Sequence, residues 1–259
     1  MNAKPRIAVH KFASCDGCQL AFLNQGEALL ELAALVDIAH FAEAGPVDPE
    51  APVDIAFVEG SISTPHDAQR IQRVRAQSRF VVALGACATS GGIQALRNLD
   101  LGGGWAAHIY ARPEYISALD HSTGIGEHIR VDLELWGCPV STGQLAAAVR
   151  GLLWGVLPIP ERDAVCLECK RGQAVCVLVT GQGPCLGPVT RGGCGAICPR
   201  QGRDCYGCYG PSEQPNTAAL GQWLHGLGLP PAAVARRFHF INSAAPAFHA
   251  AGQHWRPSS

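Results

Sequence analysis

The side chains in this sequence with the most evident chemistry are its twelve cysteines. Four are scattered over residues 1–155 and eight are concentrated further along the chain. The scattered set is Cys15, Cys18, Cys87 and Cys138, and the concentrated set is Cys166, Cys169, Cys176, Cys185, Cys194, Cys198, Cys205 and Cys208. Thiolates supplied in multiples of four are typical of [4Fe–4S] clusters, so the count predicts iron–sulfur chemistry.

Disulfides and zinc are the competing uses of so many cysteines. A chain of 259 residues can bury a core without disulfides, and no export signal is visible before Cys15. A zinc ribbon pairs two Cys-x2-Cys knuckles about 15–20 residues apart. Here Cys169 and Cys205 are 36 positions apart, and none of the ten histidines lies between residues 129 and 224. Zinc stays open as the alternative metal, and iron–sulfur is favoured.

The segments that must position these cysteines alternate between strand and helix patterns. Five short apolar segments predict strands, at Arg6–Phe12, Val36–Phe41, Asp54–Val58, Phe80–Leu84 and Ile129–Leu135. Helical patterns cover Cys18–Val36, the segment from Pro65 to about Ser78, and the segment after Ser141 to about Leu153. Thr64 and Ser141 are the expected N-caps of the last two helices. Such alternation predicts an α/β fold with a doubly wound, mostly parallel sheet.

The four scattered cysteines all follow predicted strands. Cys15 and Cys18 come after the first strand, Cys87 after Phe80–Leu84, and Cys138 after Ile129–Leu135. The carboxyl ends of parallel strands share one edge of the sheet, where such folds bind ligands. The sequence therefore predicts one metal site at this edge.

Glycines and a carboxylate accompany these cysteines. Gly17, Gly85 and Gly137 are expected to let backbone amides approach a cluster closely. Glu59 ends the third long strand at the same edge of the sheet. Two roles stay open for it, a proton-transfer group or an acceptor of backbone N–H hydrogen bonds.

Composition and charge argue against nucleic-acid binding and against a membrane-spanning segment. The net charge is -1, from 20 Lys and Arg against 21 Asp and Glu, so no basic field exists to attract nucleic acid or an anionic membrane. The longest uncharged stretch, residues 214–235, contains Gly, Pro, Asn and Gln, which disfavours a membrane span. We expect a cytoplasmic location. We also expect two domains, residues 1–157 and 158–259, the second being cysteine-rich, organised by metal and ending in a short helical tail.

Seven motifs spread along the chain carry a family resemblance. They are SCDGC (Ser14–Cys18), VEGSI (Val58–Ile62), GACAT (Gly85–Thr89), WGCP (Trp136–Pro139), CLECK (Cys166–Lys170), PCLGPVTRGGCGAICP (Pro184–Pro199) and CYGCYGP (Cys205–Pro211). Together they resemble the small subunits of cytoplasmic [NiFe] hydrogenases of the multimeric, NAD(P)-linked, sulfhydrogenase-like type. Residues 101–127 match nothing in that pattern.

The resemblance implies a flavodoxin-like domain in which Cys15, Cys18, Cys87 and Cys138 hold a proximal [4Fe–4S] cluster. The other eight cysteines would hold medial and distal [4Fe–4S] clusters, with their division between the two left open. The Ni–Fe centre would belong to a partner large subunit, so this chain alone would not catalyse H2 turnover. Electrons would pass to a flavin- or iron–sulfur-containing NAD(P)-reducing subunit.

Two further interpretations remain open from the sequence. One is an iron–sulfur electron-transfer subunit of a different, complex I-like oxidoreductase. The other is a zinc-stabilised binding module.

Overall fold

A computed structural model describes residues 4–41, 43–45, 47–99, 104–159 and 161–257. The chain separates into two compact units, residues 1–158 and residues 159–259. Each unit has its own hydrophobic core.

The first unit is built on a five-stranded sheet. Its strands are β1 (Arg6–Lys11), β2 (Asp37–Phe41), β3 (Val53–Glu59), β4 (Ser78–Leu84) and β5 (Leu133–Leu135). All neighbours pair in parallel in the order β2-β1-β3-β4-β5. This is the strand order of flavodoxin-like doubly wound folds, and it confirms the predicted fold class.

Among the described residues, six α-helices accompany this sheet: α1 (Gly17–Leu23), α2 (Glu27–Leu35), α3 (Pro65–Gln77), α4 (Gly85–Ser90), α5 (Trp105–Ile109) and α6 (Thr142–Leu153). The prediction of one continuous helix over Cys18–Val36 was wrong. The chain breaks between α1 and α2, where Gly26 has a φ of 58°, a left-handed conformation that interrupts a right-handed helix.

The predicted helix starts are confirmed by their capping bonds. Thr64 Oγ1 accepts from the Asp67 N–H at 3.1 Å, and Asp67 Oδ2 accepts from the Thr64 N–H at 3.1 Å, which completes a capping box for α3. Ser141 Oγ accepts from the Gln144 N–H at 3.1 Å at the start of α6.

Apolar residues on both faces of the sheet hold the strands in place. Val9, Phe57 and Val82 pack in the cluster that includes α1 and α6. Ala56 and Val81 point into the opposite cluster with α3. The strands of a parallel sheet that is covered on both faces have near-continuous hydrophobic sequences, and these strands fit that pattern. The result is a rigid edge from which the following loops project.

β5 is shorter than predicted, because only Leu133–Leu135 forms ladder pairs with β4. Just before it, Asp132 Oδ2 accepts from the Val81 N–H at 2.8 Å and from Arg75 Nη1 at 2.6 Å. A side chain therefore takes the place of a ladder carbonyl at this end of the strand.

In the second unit, the described residues form five α-helices around one apolar core. They are α7 (Val165–Arg171), α8 (Ile197–Arg200), α9 (Thr217–Gly226), α10 (Pro231–Phe238) and α11 (Pro246–Trp255). The segment after Cys208, predicted as a short helical tail, contains three α-helices among its described residues, α9, α10 and α11. Val165, Leu186, Leu224, Phe238 and Phe248 lie in this core. The cysteine-rich segment packs its few apolar residues against these helices.

No helix in the described part of the chain combines the length and apolar character needed to cross a lipid bilayer.

Candidate cysteine-lined metal sites

The loops after β1, β4 and β5 carry the four cysteines of the first unit. Cys15 precedes α1 and Cys18 lies in its first turn, while Cys87 is in α4 directly after β4. Cys138 follows β5. Burial raises the pKa of Cys87 to about 12, and the nearby Cys138, Cys15 and Glu59 side chains add to that rise. The pKa of Cys18 is likewise raised by burial, with Cys87 and Cys138 adding to the rise, so Cys87 and Cys138 lie near both other thiols.

Glu59 supports this site from the end of β3, where it is buried. Its Oε1 accepts from the Cys18 N–H at 2.9 Å and its Oε2 from the Gln19 N–H at 3.3 Å. Without Glu59 these two N–H groups in the first turn of α1 would have no acceptor within the helix, because the N-cap residue Asp16 makes no side-chain cap bond. Burial raises the pKa of the Glu59 carboxyl, while these hydrogen bonds oppose the rise. Of its two predicted roles, the geometry supports the backbone acceptor.

Gln94 links the Cys87 and Cys15 loops, although sequence analysis did not single it out. Its Oε1 lies 3.3 Å from Cys87 Sγ, and its Nε2 donates to the Ala13 carbonyl at 3.0 Å. Ala13 in turn exchanges backbone hydrogen bonds with Ser61, close in sequence to Glu59. No local sequence signal marks Gln94, because its partners are seven and 81 residues away.

Close backbone approach explains two of the three glycines. Gly85 has a φ of 78°, and a Cβ there would lie 2.3 Å from Cys18 Sγ. Gly137 has a φ of 151°, and a Cβ there would lie 2.7 Å from the Pro139 carbonyl oxygen. A Cβ on Gly17 would meet Cys15 Sγ at 3.4 Å, an ordinary contact, so space does not demand glycine there.

In the second unit, four cysteines share a cavity of about 110 Å³. Cys166 and Cys169 enter it from α7, and Cys176 and Cys185 from the segment that follows. Burial raises the pKa of Cys166 to about 11, and Cys185, Cys169 and Cys176 add to that rise. We call this set the α7 cysteine group.

Backbone N–H groups point at sulfur in this region. Cys185 Sγ accepts from the Cys205 N–H at 3.2 Å and from the Gly187 N–H at 3.5 Å. Cys205 Sγ accepts from the Gly207 N–H at 3.5 Å. Such N–H···S bonds stabilise thiolate charge and tune the reduction potential of iron–sulfur centres.

The other four cysteines are Cys194, Cys198, Cys205 and Cys208, which we call the α8 cysteine group. Cys198 lies in α8, and burial raises the pKa of Cys205, with Cys185 and Cys208 adding to the rise. Cys205, a member of the α8 cysteine group, therefore also lies near Cys185 of the α7 cysteine group.

Glu168 has a role in this unit that parallels that of Glu59. Its Oε1 accepts from the Gly193 N–H at 2.7 Å and its Oε2 from the Ala196 N–H at 3.1 Å, on either side of Cys194. Glu168 lies within the CLECK motif, but the motif by itself indicated no role for its carboxylate.

The donor set of these sites fits iron–sulfur clusters. Each group supplies thiols only, close to glycine backbone or N–H donors, which is the ligand chemistry that [4Fe–4S] clusters take. Among the described residues, no three His, Cys, Asp or Glu side chains converge closely enough to bind a single metal ion.

Comparison with known proteins places the chain among redox subunits. Residues 15–152 match the family described as NADH ubiquinone oxidoreductase, 20 Kd subunit. Sulfhydrogenase 2 subunit delta of Pyrococcus furiosus is 32% identical over 232 residues, covering 90% of this chain and 97% of the relative. A vhu subunit of the F420-non-reducing hydrogenase of Methanocaldococcus jannaschii is 30% identical, covering 81% of this chain and 83% of the relative.

A solved structure agrees with these relatives. A chain of an NAD+-reducing [NiFe]-hydrogenase in the H2-reduced state matches with a TM-score of 0.55 and 28% identity, covering 60% of this chain and 94% of its own length.

Proposed function

The chain belongs to the NADH ubiquinone oxidoreductase 20 Kd subunit family, and from that premise we propose that it is the electron-transfer small subunit of a [NiFe] hydrogenase. The family match lies within the first unit, whereas the hydrogenase relative from Pyrococcus furiosus covers nine-tenths of the chain. The cysteine-rich second unit therefore favours a hydrogenase over a complex I-like oxidoreductase. The observation that carries the proposal is that the four cysteines follow β1, β4 and β5, parallel strands whose carboxyl ends share one edge of the sheet.

Cys15, Cys18, Cys87 and Cys138 are the proposed ligands of the proximal [4Fe–4S] cluster. Glu59 and Gly85 serve this site by positioning, since one fixes the first turn of α1 and the other leaves room for Cys18 Sγ. Gln94 ties the Cys87 helix to the Ala13 backbone, so that two separate loops keep one geometry.

The eight remaining cysteines are proposed to divide into the α7 and α8 groups, each holding one further [4Fe–4S] cluster. The shared cavity of Cys166, Cys169, Cys176 and Cys185 supports this division. Glu168 holds the Cys194 loop through backbone N–H groups, and the Cys205 N–H donates to a sulfur of the neighbouring group. This hydrogen bond joins the backbone of one group directly to a thiol of the other.

When bound, such clusters accept and release single electrons with little change in geometry. The chain's own residues supply thiolates and N–H donors to sulfur. A large subunit would supply the Ni–Fe centre, and a flavin- or iron–sulfur-containing NAD(P)-reducing subunit would accept the electrons. The cytoplasmic location belongs to this same proposal, and cell fractionation checks it.

Anaerobic iron and sulfide analysis with EPR spectroscopy tests the proposal on the protein purified together with its natural partners. We expect about twelve iron per chain, from three four-iron clusters, and a co-purifying large subunit that contains nickel. About four iron per chain would leave only the sheet-edge cluster. Zinc without sulfide would refute the electron-transfer role.

A single substitution tests the first site. In the purified complex, Cys15→Ser should remove the proximal cluster and abolish H2-dependent dye reduction. Full activity with every cluster retained would contradict the assignment.

A further inference from the structure

The second unit carries an open groove that the proposed electron relay leaves unexplained. It has a volume of about 990 Å³ and is lined by the segments around Gly172–Val177, Thr180–Gly183 and Cys194–Asp204. Val175 and Ile197, two of its lining residues, are exposed by 69% and 63%. These two side chains provide apolar contact area inside a groove that is otherwise lined largely by glycine and polar residues.

The groove lies directly against the cavity of the α7 cysteine group. Ala174, Val177 and Pro199 line both the groove and that cavity, so a single layer of residues separates them. Cys176, one of the four cysteines, is itself exposed to solvent. Because electron transfer slows steeply with distance, a molecule seated in the groove is well placed to exchange electrons with a cluster on this group.

The surface around the groove is basic. Four exposed cations lie on or beside its lining segments: Lys170 and Arg171 at the end of α7, Arg200 in α8, and Arg203 in the following loop. The Arg200 side chain packs beside Gly172, which brings α8's cation to the end of α7. We call these four residues the basic rim.

The acidic residues nearby do not neutralise the basic rim. Glu168 directs its carboxylate at the Gly193 and Ala196 N–H groups, and Asp204 pairs with Arg237. Asp163 lies 3.5 Å from Arg171 in an exposed pair, which is worth little. The second unit as a whole has nine Lys and Arg against five Asp and Glu.

We propose that this groove is the docking site for an acidic redox protein, one whose surface carboxylates surround its own iron–sulfur or flavin group. The apolar residues would be buried at the centre of the contact and the basic rim would steer the partner by charge. This inference rests on the proposed function. For each H2 oxidised, two protons are released and two electrons leave, and each electron reduces one molecule of a one-electron acceptor.

The test uses the purified hydrogenase complex with H2 as the electron donor. A plant-type [2Fe–2S] ferredoxin serves as the acidic one-electron acceptor and benzyl viologen as the small dye. The variant Arg200→Glu/Arg203→Glu reverses two charges of the basic rim. Arg236→Glu reverses an exposed charge on α10, outside the groove, and is the matched control.

We expect the wild-type rate of ferredoxin reduction at limiting ferredoxin to fall as salt rises. At low salt the double variant should be at least about 10-fold slower, because electrostatic steering changes association rates by 10-fold or more. Dye reduction and iron content should be unchanged in both variants, and Arg236→Glu should reduce ferredoxin at the wild-type rate.

Each other outcome has a definite meaning. Equal ferredoxin rates in the wild type and the double variant, with dye reduction intact, overturn the docking proposal. Salt-dependent self-association that the double variant abolishes would also overturn it, since a second copy of the chain would then occupy the groove. Absence of dye reduction in the wild type, by contrast, contradicts the proposed hydrogenase function itself.

Discussion

The Glu59 carboxylate is joined to the Cys18 backbone by a 2.9 Å hydrogen bond across 41 residues of sequence. The bond ties the end of β3 to the first turn of α1, whose own N-cap residue supplies no side-chain acceptor. A buried carboxylate thus fixes the backbone of a proposed cluster ligand.

Replacing Glu59 distinguishes its two predicted roles. Glu59→Gln keeps one acceptor oxygen but turns an NH2 group toward a backbone N–H, and hydrogen bonds to charged groups are worth about 1.5–3 kcal/mol. We expect a lower iron content in the purified complex and unchanged H2 oxidation per intact proximal cluster, measured by EPR. Glu31→Gln, on an exposed position of α2, is the control. Full iron content with a large loss of H2 oxidation would instead support proton transfer.

Gly85→Ala should prevent assembly of the proximal cluster. The new Cβ would lie 2.3 Å from Cys18 Sγ, too close to be accommodated without moving that thiol. We expect the loss of about one-third of the iron, corresponding to one of three clusters. Gly26→Ala is the control, because Gly26 also has a positive φ, of 58°, but its Cβ would meet nothing within 4 Å. Equal iron loss in both variants would show that strain alone is responsible.

Pairs of substitutions test the division of the eight cysteines. Cys169→Ala and Cys185→Ala remove ligands from the same proposed cluster, so the double variant should lose no more iron than either single variant. Cys169→Ala combined with Cys208→Ala should lose about twice as much, because independent sites add. Iron analysis and EPR measure both. Additive loss of iron in the Cys169→Ala/Cys185→Ala double variant would show that these two cysteines bind different clusters.

The Asp132 carboxylate should stabilise the first unit above acidic pH. Burial acts to raise its pKa, but the hydrogen bonds from Arg75 and the Val81 N–H outweigh burial, so the folded-state pKa is lowered. A lowered pKa gives stability that is present above the unfolded value of about 3.9 and is lost as pH falls through the folded value. Asp132→Asn should lower the thermal midpoint at pH 7, measured anaerobically at a fixed scan rate. The difference from wild type should shrink as the pH falls below the unfolded value of about 3.9.

His10 should make the first unit sensitive to mild acid. Burial, with the His40 ring and the Arg70 guanidinium close by, lowers the pKa of His10 from 6.5 to about 3. Between these two values the unfolded chain binds a proton that the folded chain does not, so stability falls as pH drops below about 6.5.

His10→Asn should therefore flatten the decline of the thermal midpoint between about pH 6.5 and pH 5. His66→Asn, at an exposed position of α3, should leave the decline unchanged. If the two variants decline equally, other groups account for the acid sensitivity.

Local sequence pattern determined the strands of the sheet and the edge of the sheet at which the four cysteines of the first unit lie. Apolar runs such as Phe80–Leu84 and the N-cap at Thr64 depend on neighbouring residues only, so periodicity and capping chemistry predicted them. Placing Cys15, Cys18, Cys87 and Cys138 at one edge needed only the rule that parallel strands end on the same side.

The tertiary structure alone decided which groups meet across long stretches of chain. Glu59 reaches Cys18, Gln94 reaches Ala13, and the α7 cysteine group shares one cavity, none of which follows from residue spacing. The helix break at Gly26 could not be predicted from periodicity either, because the helical spacing of apolar residues continues on both sides of it. Spacing encodes the period of an element, whereas these contacts depend on how separate elements pack, and many packings are compatible with one period.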